Sequence, residues 1–195
     1  MFASLILATY GRFEEIERLL ETLASQTERD FEVIVVDQNP DDRLSIVVNA
    51  GQKAGLAIQW VKLARPNLSE ARNHGIHLAK GEVIAFPDDD CWYESETLAR
   101  ARAVFDGENA PDGIVARWAE QYDAHGSSGD NVLTESTWRN FRGGDASSIT
   151  LFLRRDLFAR IGGFDPRFGV GCWYGASEET DLILRALKEG MKLER

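Results

Sequence analysis

The chain has 195 residues, with a hydrophobic share of 44% and a charged share of 28%, which is typical of an ordinary folded protein. This length favours one main domain, which we assign to residues 1–195. The formal net charge of −10 disfavours nucleic acid as a partner, because a negative protein repels a phosphate backbone.

The N-terminal segment MFASLILATYGR has neither the basic flank nor the cleavage site of a signal peptide, so we interpret it as a first strand. No window of about 18 uncharged apolar residues follows it, and a transmembrane segment is therefore not predicted. We expect a cytoplasmic protein. Peripheral contact with a membrane surface stays open.

Strand and helix patterns alternate through the first half of the chain, an order typical of a parallel sheet with crossover helices. The apolar runs predict strands at 2–8, 31–37, 58–62 and 83–87. Helical spacing predicts helices at 13–25, 41–53 and 68–80, and a fourth that begins at a Ser95 cap and extends to about residue 105. The fold class is therefore α/β, with a mostly parallel central sheet flanked by helices.

The second half is less regular. It predicts a strand at 113–118, a Gly-, Ser- and Asp-rich loop at 123–131, a strand at 148–155, a short helix at 155–161 that ends at Gly162 and Gly163, and an amphipathic helix at 178–189.

Polar residues follow three of the predicted strands, and the carboxyl ends of strands are where open α/β sheets bind ligands. The polar runs are Thr9–Arg12, Asp37–Asn39 and Asp88–Asp90. The first turn contains one glycine, so it does not match the dinucleotide fingerprint, and the sequence has no phosphate loop of the Walker type. Asp37 alone is equally well explained as the cap of the following turn.

Asp88, Asp89 and Asp90, which we call the acid triplet, follow the apolar run VIAF. Three adjacent carboxylates repel one another, and a partly buried sheet edge then calls for a compensating positive charge. Mg²⁺ or Mn²⁺ would supply it, since hard cations bind carboxylate oxygens and keep positions open for phosphate. The alternative is an exposed acidic turn.

The last predicted helix opens with Glu178-Glu179-Thr180-Asp181. Carboxylates in a first helical turn are expected there simply because they suit the helix dipole. The same position also keeps a carboxylate ionised, as a general base requires.

Together these segments resemble the family 2 glycosyltransferases, the inverting group with the GT-A fold. The resemblance extends over nearly the whole chain and is carried by ILATYGR, VVDQNPDDR, LSEARNHGIHLAKGEVIAFPDDDCWY, IGGFDPRFG and SEETDLILRAL. It implies a Rossmann-like sheet that binds a nucleotide-diphosphate sugar. Residues 1–118 would form the nucleotide-binding half and residues 119–195 the acceptor and catalytic half.

Carried over by position, the resemblance assigns the nucleotide and donor contacts to Thr9, Tyr10, Arg12, Asp37, Arg72, Asp88 and Asp89. The acid triplet corresponds to the family's Asp-x-Asp motif, in which Asp90 would hold Mn²⁺ or Mg²⁺ and Asp88 would contribute. Among nucleotides, UDP is favoured by its frequency in the family, and dTDP and GDP stay open.

The resemblance places the catalytic base at Glu179, where the family usually has aspartate. Gly143, Gly144, Asp145, Trp173 and Glu178 would lie near the donor and acceptor sugars, and residues 169–175 resemble the flexible loop before the base. Trp173 would stack on a sugar, with a core aromatic as the alternative. The acceptor stays unknown and would be a glycan, a lipid-linked acceptor or a small molecule.

The implied reaction is a single displacement with inversion. One alternative is a sugar-nucleotide nucleotidyltransferase, although ATYGRFEE lacks that group's glycine-rich basic loop. Another is a non-catalytic sugar-nucleotide-binding domain, because relatives generally continue beyond the helix that carries the base, and we expect a chain shortened at its C-terminal side.

Overall fold

The computed structural model describes residues 1–116, 132–139 and 147–195, and only the backbone of Thr137 and Arg139. The predicted loop at 123–131 and the end of the predicted strand at 113–118 lie outside the described residues. Within them, no helix combines the length and apolar character needed to cross a membrane.

The described residues contain seven strands and seven α-helices. The strands are β1 (Ala3–Thr9), β2 (Phe31–Asp37), β3 (Ile58–Lys62), β4 (Val83–Ala85), β5 (Gly113–Val115), β6 (Leu151–Arg154) and β7 (Leu193–Glu194). The helices are α1 (Glu14–Ala24), α2 (Ser45–Lys53), α3 (Leu68–Leu78), α4 (Thr97–Phe105), α5 (Glu135–Arg139), α6 (Arg155–Ile161) and α7 (Glu178–Lys188).

All seven strands form one sheet in the order β3-β2-β1-β4-β6-β5-β7. Strands β1 to β4 are parallel, β6 runs antiparallel to both β4 and β5, and β5 is parallel to β7. Because β6 is antiparallel to β4, it begins at the edge where β4 ends. The predicted mostly parallel α/β sheet is confirmed, and the antiparallel strand adds a second source of residues at that edge.

Each face of the sheet is covered by its own apolar cluster. Leu5 and Leu7 of β1 pack with α1, α2 and α4 on one face, whereas Ile6 packs with α3, α6 and α7 on the other. Strands β1 and β2 are thus buried on both faces, which explains their continuous apolar sequences. The two layers of helices leave the carboxyl ends of these strands as the place for a site.

Several predicted boundaries are wrong. Strand β4 ends at Ala85, and the residues predicted as the start of a strand at 148 form a 3₁₀ turn, Ser148–Thr150, before β6. Ser95 does not cap α4, because the helix begins at Thr97 and its N-cap position is Glu96, whose side chain makes no capping hydrogen bond. Gly162 ends α6 as predicted, with a φ of 75°.

Gly81 allows close approach of the turn before β4 to β1. A Cβ atom on Gly81 would lie 2.4 Å from the carbonyl carbon of Ala3 and 2.5 Å from the amide nitrogen of Ser4. Backbone atoms of a central strand cannot move aside as a flexible side chain can, so no side chain fits here.

Gly81→Ala is therefore expected to lower the free energy of unfolding by about 1–3 kcal/mol, the usual cost of overpacking. Urea denaturation followed by circular dichroism measures this change. Gly175→Ala is the control, because its Cβ would meet no atom within 4 Å, and it should change stability by no more than about 0.5 kcal/mol. Equal midpoints for the two variants would contradict the role of Gly81.

Candidate active site

The loops after β1 and β2 are held together at the edge of the sheet. Thr9 and Asp37 are direct partners in the parallel register, as the positions of their strand ends predict. Beyond them, the Gln38 amide donates to the Thr9 carbonyl at 3.0 Å, and the Gly11 amide donates to Asn39 Oδ1 at 2.8 Å. The two loops therefore form one surface.

Asp37 is fully buried and its carboxylate accepts four hydrogen bonds. Oδ1 accepts the backbone amide and the side-chain amide of Asn39, each at 2.8 Å, and Oδ2 accepts Trp60 Nε1 at 3.0 Å and Lys62 Nζ at 3.1 Å. The turn cap considered as an alternative for Asp37 is thus present. The nucleotide contact through Asp37 stays a prediction.

Tyr10 and Arg12 lie exposed at the end of β1. The Arg12 guanidinium pairs with Glu15 at 2.9 Å, with Asp90 at 3.4 Å and with Asp89 at 3.8 Å. The structure thus brings Arg12 and the acid triplet together. The Tyr10 side chain, two residues before Arg12, lies on the surface.

The acid triplet lies three residues beyond the end of β4, and its members differ in environment. Asp88 and Asp89 are half-buried, whereas Asp90 is exposed. The Ser148 hydroxyl lies 3.2 Å from both carboxylate oxygens of Asp88, and the Thr9 hydroxyl donates to Asp89 Oδ2 at 2.8 Å. Asp90 is the member most open to a ligand.

Burial raises the pKa of Asp88 and of Asp89 above the ordinary value for aspartate. The charge of Arg72 opposes this rise for Asp88, and the Thr9 hydroxyl and then the charge of Arg12 oppose it for Asp89. Two arginines therefore supply positive charge that the sequence analysis assigned to a divalent cation. Crowding of the acid triplet does not by itself require a metal ion.

Arg72 on α3 is only 2% exposed and reaches three side chains from other parts of the chain. Its NH1 donates to Glu178 Oε1 at 2.9 Å, and its NH2 donates to Asp88 Oδ1 at 3.0 Å and to Ser148 Oγ at 2.6 Å. The guanidinium carbon lies 5.3 Å from the centre of the Phe164 ring. All of these partners belong to the protein, so the predicted nucleotide contact of Arg72 stays a prediction.

The first turn of α7 places two neighbouring glutamates in different surroundings. Glu178 is buried and paired with Arg72, whereas Glu179 is half-buried. Burial, and then the charge of Glu178, raises the pKa of Glu179 above the ordinary value for glutamate. Hydrogen bonds from its own backbone amide and from the Ser148 amide, together with the charge of Arg72, oppose this rise. A raised pKa makes Glu179 the stronger proton acceptor in its ionised form.

The loop at 169–175 precedes α7 in the chain and is exposed over most of its length. Trp173 is 88% exposed, so the alternative that it is a core aromatic is wrong. At the base of the loop, the Phe168 and Tyr174 rings stack at 5.1 Å, and the Ser69 hydroxyl donates to the Phe168 carbonyl at 2.8 Å. Gly143, Gly144 and Asp145 lie outside the described residues.

Sequence reasoning gave no role to Ser148 or Gln38. Ser148 reaches Asp88 because β6 is antiparallel to β4, and no local pattern reports that pairing. Gln38 Oε1 accepts the amide of Asn67 at 2.6 Å, and Asn67 in turn caps α3 by accepting the Glu70 amide. The position of Gln38 directly after a strand was the available signal.

A divalent cation would find hard oxygen donors in the acid triplet. Among residues 1–116, 132–139 and 147–195, no three His, Cys, Asp or Glu side chains are grouped closely enough to hold a metal ion by themselves. Mg²⁺ sites commonly use one or two carboxylates and complete the shell with water and substrate phosphate. The exposed Asp90 and the half-buried Asp88 fit that kind of site.

Sequence comparison identifies related proteins. The family described as Glycosyl transferase family 2 matches residues 4–160. The PGL/p-HBAD biosynthesis glycosyltransferase of Mycobacterium bovis (strain BCG / Pasteur 1173P2) is 31% identical over 181 residues, which cover 86% of this chain and 64% of that relative. The chain thus spans less than two thirds of the relative's length.

Structural comparison finds the same fold in solved proteins. Residues 1–349 of S. aureus TarS, in complex with UDP-GlcNAc, match with a TM-score of 0.77 and 23% identity, over 100% of this chain and 55% of that TarS chain. The mannosyltransferase PcManGT of Pyrobaculum calidifontis, in complex with GDP-Man and Mn²⁺, matches with a TM-score of 0.73 and 21% identity, over 98% of this chain and 53% of PcManGT. The predicted GT-A fold is confirmed.

Removal of the Arg72 charge is expected to destabilise the fold strongly. Arg72→Met keeps an apolar stem but leaves two carboxylates without their cation, and breaking a buried pair in this way costs about 3–5 kcal/mol. Arg100→Met is the control, since Arg100 forms an exposed pair with Glu96 at 2.7 Å and such pairs contribute about 1 kcal/mol or less. Urea denaturation compares them, and equal losses would contradict the role of Arg72.

Proposed function

This chain belongs to glycosyltransferase family 2, and we propose that it transfers a sugar from a nucleotide-diphosphate sugar to a hydroxyl group of an acceptor. One observation carries the proposal: the acid triplet and the first turn of α7 meet at the same edge of the sheet, joined through Arg72. A donor held at the triplet would then lie beside a carboxylate able to take a proton.

The donor would lie across the carboxyl ends of β1, β2 and β4. Thr9, Tyr10 and Asp37 would line the nucleotide pocket, and the acid triplet would face the diphosphate and the sugar. UDP is the favoured nucleotide. Support comes from the position of these strand ends and from fold neighbours bound to UDP-GlcNAc and GDP-Man.

Glu179 is the proposed catalytic base. The neighbouring Glu178 is buried in an ion pair with Arg72, which makes it inaccessible to an acceptor hydroxyl. Glu179 is half-buried and its raised pKa strengthens it as a base. Trp173 and the unknown acceptor would lie on the same side, since the 169–175 loop leads directly into α7.

Asp90 and Asp88 would hold Mg²⁺ or Mn²⁺ together with the phosphates of the donor. When bound, such an ion supplies positive charge that stabilises the leaving diphosphate. A fold neighbour bound to GDP-Man and Mn²⁺ supports this assignment.

In the proposed reaction, the oxygen of the acceptor hydroxyl forms a bond to the anomeric carbon of the sugar. Glu179 takes the proton of that hydroxyl as the bond forms. The bond between the anomeric carbon and the diphosphate oxygen breaks, and its electron pair leaves with the nucleoside diphosphate. A single displacement of this kind inverts the anomeric configuration.

UDP with Mn²⁺ is expected to raise the melting temperature, because a ligand at 100 times its dissociation constant adds about 2.7 kcal/mol to stability. Differential scanning fluorimetry with UDP, dTDP and GDP, each with Mn²⁺, Mg²⁺ or a chelator, measures the shift. Asp90→Asn should remove the metal-dependent part, whereas Asp106→Asn, at the exposed end of α4, should retain it. The absence of a shift with every nucleotide would count against the proposal.

Glu179→Gln is expected to lower the transfer rate by about 10²–10⁴-fold, the usual contribution of a general base, with nucleotide binding retained. Activity of the parent should fall as the pH drops through the raised pKa of Glu179, because the base must be ionised, and the variant should lose this acid limb. The assay uses a panel of nucleotide sugars over a range of pH.

Glu189→Gln, at the opposite end of the same helix, is the control and should match the parent. Equal rates for the parent and Glu179→Gln would exclude Glu179 from the mechanism. Nucleotide binding without turnover in the parent would favour the alternative of a non-catalytic sugar-nucleotide-binding domain.

A further inference from the structure

We propose that Arg72 and Glu178 are positioning residues, which hold the acid triplet and the helix that carries Glu179 in one fixed arrangement. The inference rests on the proposed function, because it assigns to this pair the alignment of donor and base. It replaces the direct contacts with nucleotide and sugar that the family resemblance implied for these two residues.

The geometry of Arg72 supports a bridge between two parts of the site. Its two terminal nitrogens bind different partners: NH1 donates to Glu178, and NH2 donates to Asp88 and Ser148. These partners come from α7, from the loop after β4 and from the turn before β6. A planar guanidinium holds such partners at fixed angles, which a lysine ammonium cannot do.

The burial of Arg72 argues against a direct contact with a ligand. With 2% exposure and with ion pairs to Asp88 and Glu178 already formed, it presents almost no surface to a phosphate or a base. The exposed Arg12 is a cation near the acid triplet that is open to solvent. Arg72 is therefore suited to hold the site together rather than to bind the substrate.

Glu178 controls the direction of Glu179 through the geometry of the helix. Successive residues of an α-helix differ in direction by about 100°, so a fixed Glu178 also fixes the direction in which Glu179 points. The chain enters α7 through Ser177 at a φ of 76°, a left-handed conformation, and the Ser177 side chain makes no capping hydrogen bond. The ion pair with Arg72 is thus a main contact that fixes the first turn of α7 to α3.

The 169–175 loop packs directly on the Glu178 side chain of this ion pair. A Cβ atom on Gly169 would lie 3.3 Å from Glu178 Cδ and 3.3 Å from Ser69 Oγ, and Gly169 has a φ of 101°. The loop therefore rests on the Glu178 side chain. Loss of the ion pair would disturb the loop, the first turn of α7 and the acid triplet together.

The test compares Glu178→Gln with Asp181→Asn. Both variants remove one negative charge from the first turn of α7 and weaken one ion pair. Asp181 pairs instead with Arg185 at 2.8 Å, whose guanidinium also donates to the carbonyl oxygens of Ile161 and Gly163, away from the acid triplet. Comparison of the two variants therefore distinguishes a general loss of stability in α7 from a specific loss of the contact between Glu178 and Arg72.

Hydrogen exchange by mass spectrometry is the first measurement. In Glu178→Gln, exchange should increase both at 178–182 and at 86–92, although the second segment is distant in sequence. In Asp181→Asn, any increase should leave 86–92 unchanged. Unchanged exchange at 86–92 in Glu178→Gln would overturn the proposal, whether or not the protein transfers sugar.

Kinetics are the second measurement. Glu178→Gln should lower kcat by about 10- to 100-fold, the effect of a small misplacement of reacting groups, while the Kd for UDP with Mn²⁺ changes less than about threefold. A weaker UDP affinity with an unchanged kcat would overturn the proposal and identify Glu178 as a donor contact. Absence of transfer in the parent would contradict the proposed function alone, since hydrogen exchange still tests the bridge.

Arg72→Lys provides a second variant if Glu178→Gln does not fold. It keeps the positive charge between the carboxylates but cannot pair with both in one plane. The same increase in exchange at 86–92 and at 178–182 is expected. Exchange equal to that of the parent at both segments would overturn the proposal.

Discussion

The arrangement of the site depends on the ion pairs that the buried Arg72 guanidinium forms with Asp88 and Glu178. Desolvation of Asp88 and Glu178 is costly, and a shared cation with good hydrogen-bond geometry compensates for it. The same contacts connect α3 to α7 and to the turn before β6. The sheet provides the edge, and the contacts of this side chain join the acid triplet to the first turn of α7.

Sequence patterns were sufficient for the parts of the fold that are buried on both faces. The continuous, short apolar runs of β1 and β2 are typical of strands buried on both faces. The polar residues at their ends, Thr9 and Asp37, lie side by side when the strands are parallel. Helix α1 was equally clear, because its apolar residues recur on one face. Strong local signals and the expected parallel topology thus predicted the part of the candidate site that β1 and β2 form.

The remaining part of the site depends on contacts that no local pattern encodes. Arg72 and Glu178 are 106 positions apart, and Ser148 reaches Asp88 only through the antiparallel pairing of β6 with β4. The sequence predicted that the acid triplet needs a nearby positive charge. Arg72 and Arg12 of the chain itself supply part of that charge. Any role of a metal ion must then be argued from the diphosphate that it would neutralise, not from repulsion between aspartates.

The two glutamates at the start of α7 illustrate how environment separates roles between identical side chains. Glu178 faces a cation and is buried, so its charge is already used in holding the structure. Glu179 lies one residue further, under the influence of burial and of the Glu178 charge, and its proton affinity is higher for that reason. Within that ion pair, the Glu178 charge raises the pKa of Glu179 whereas the Arg72 charge opposes the rise, so the proposed base is tuned by both members of the pair that holds the structure.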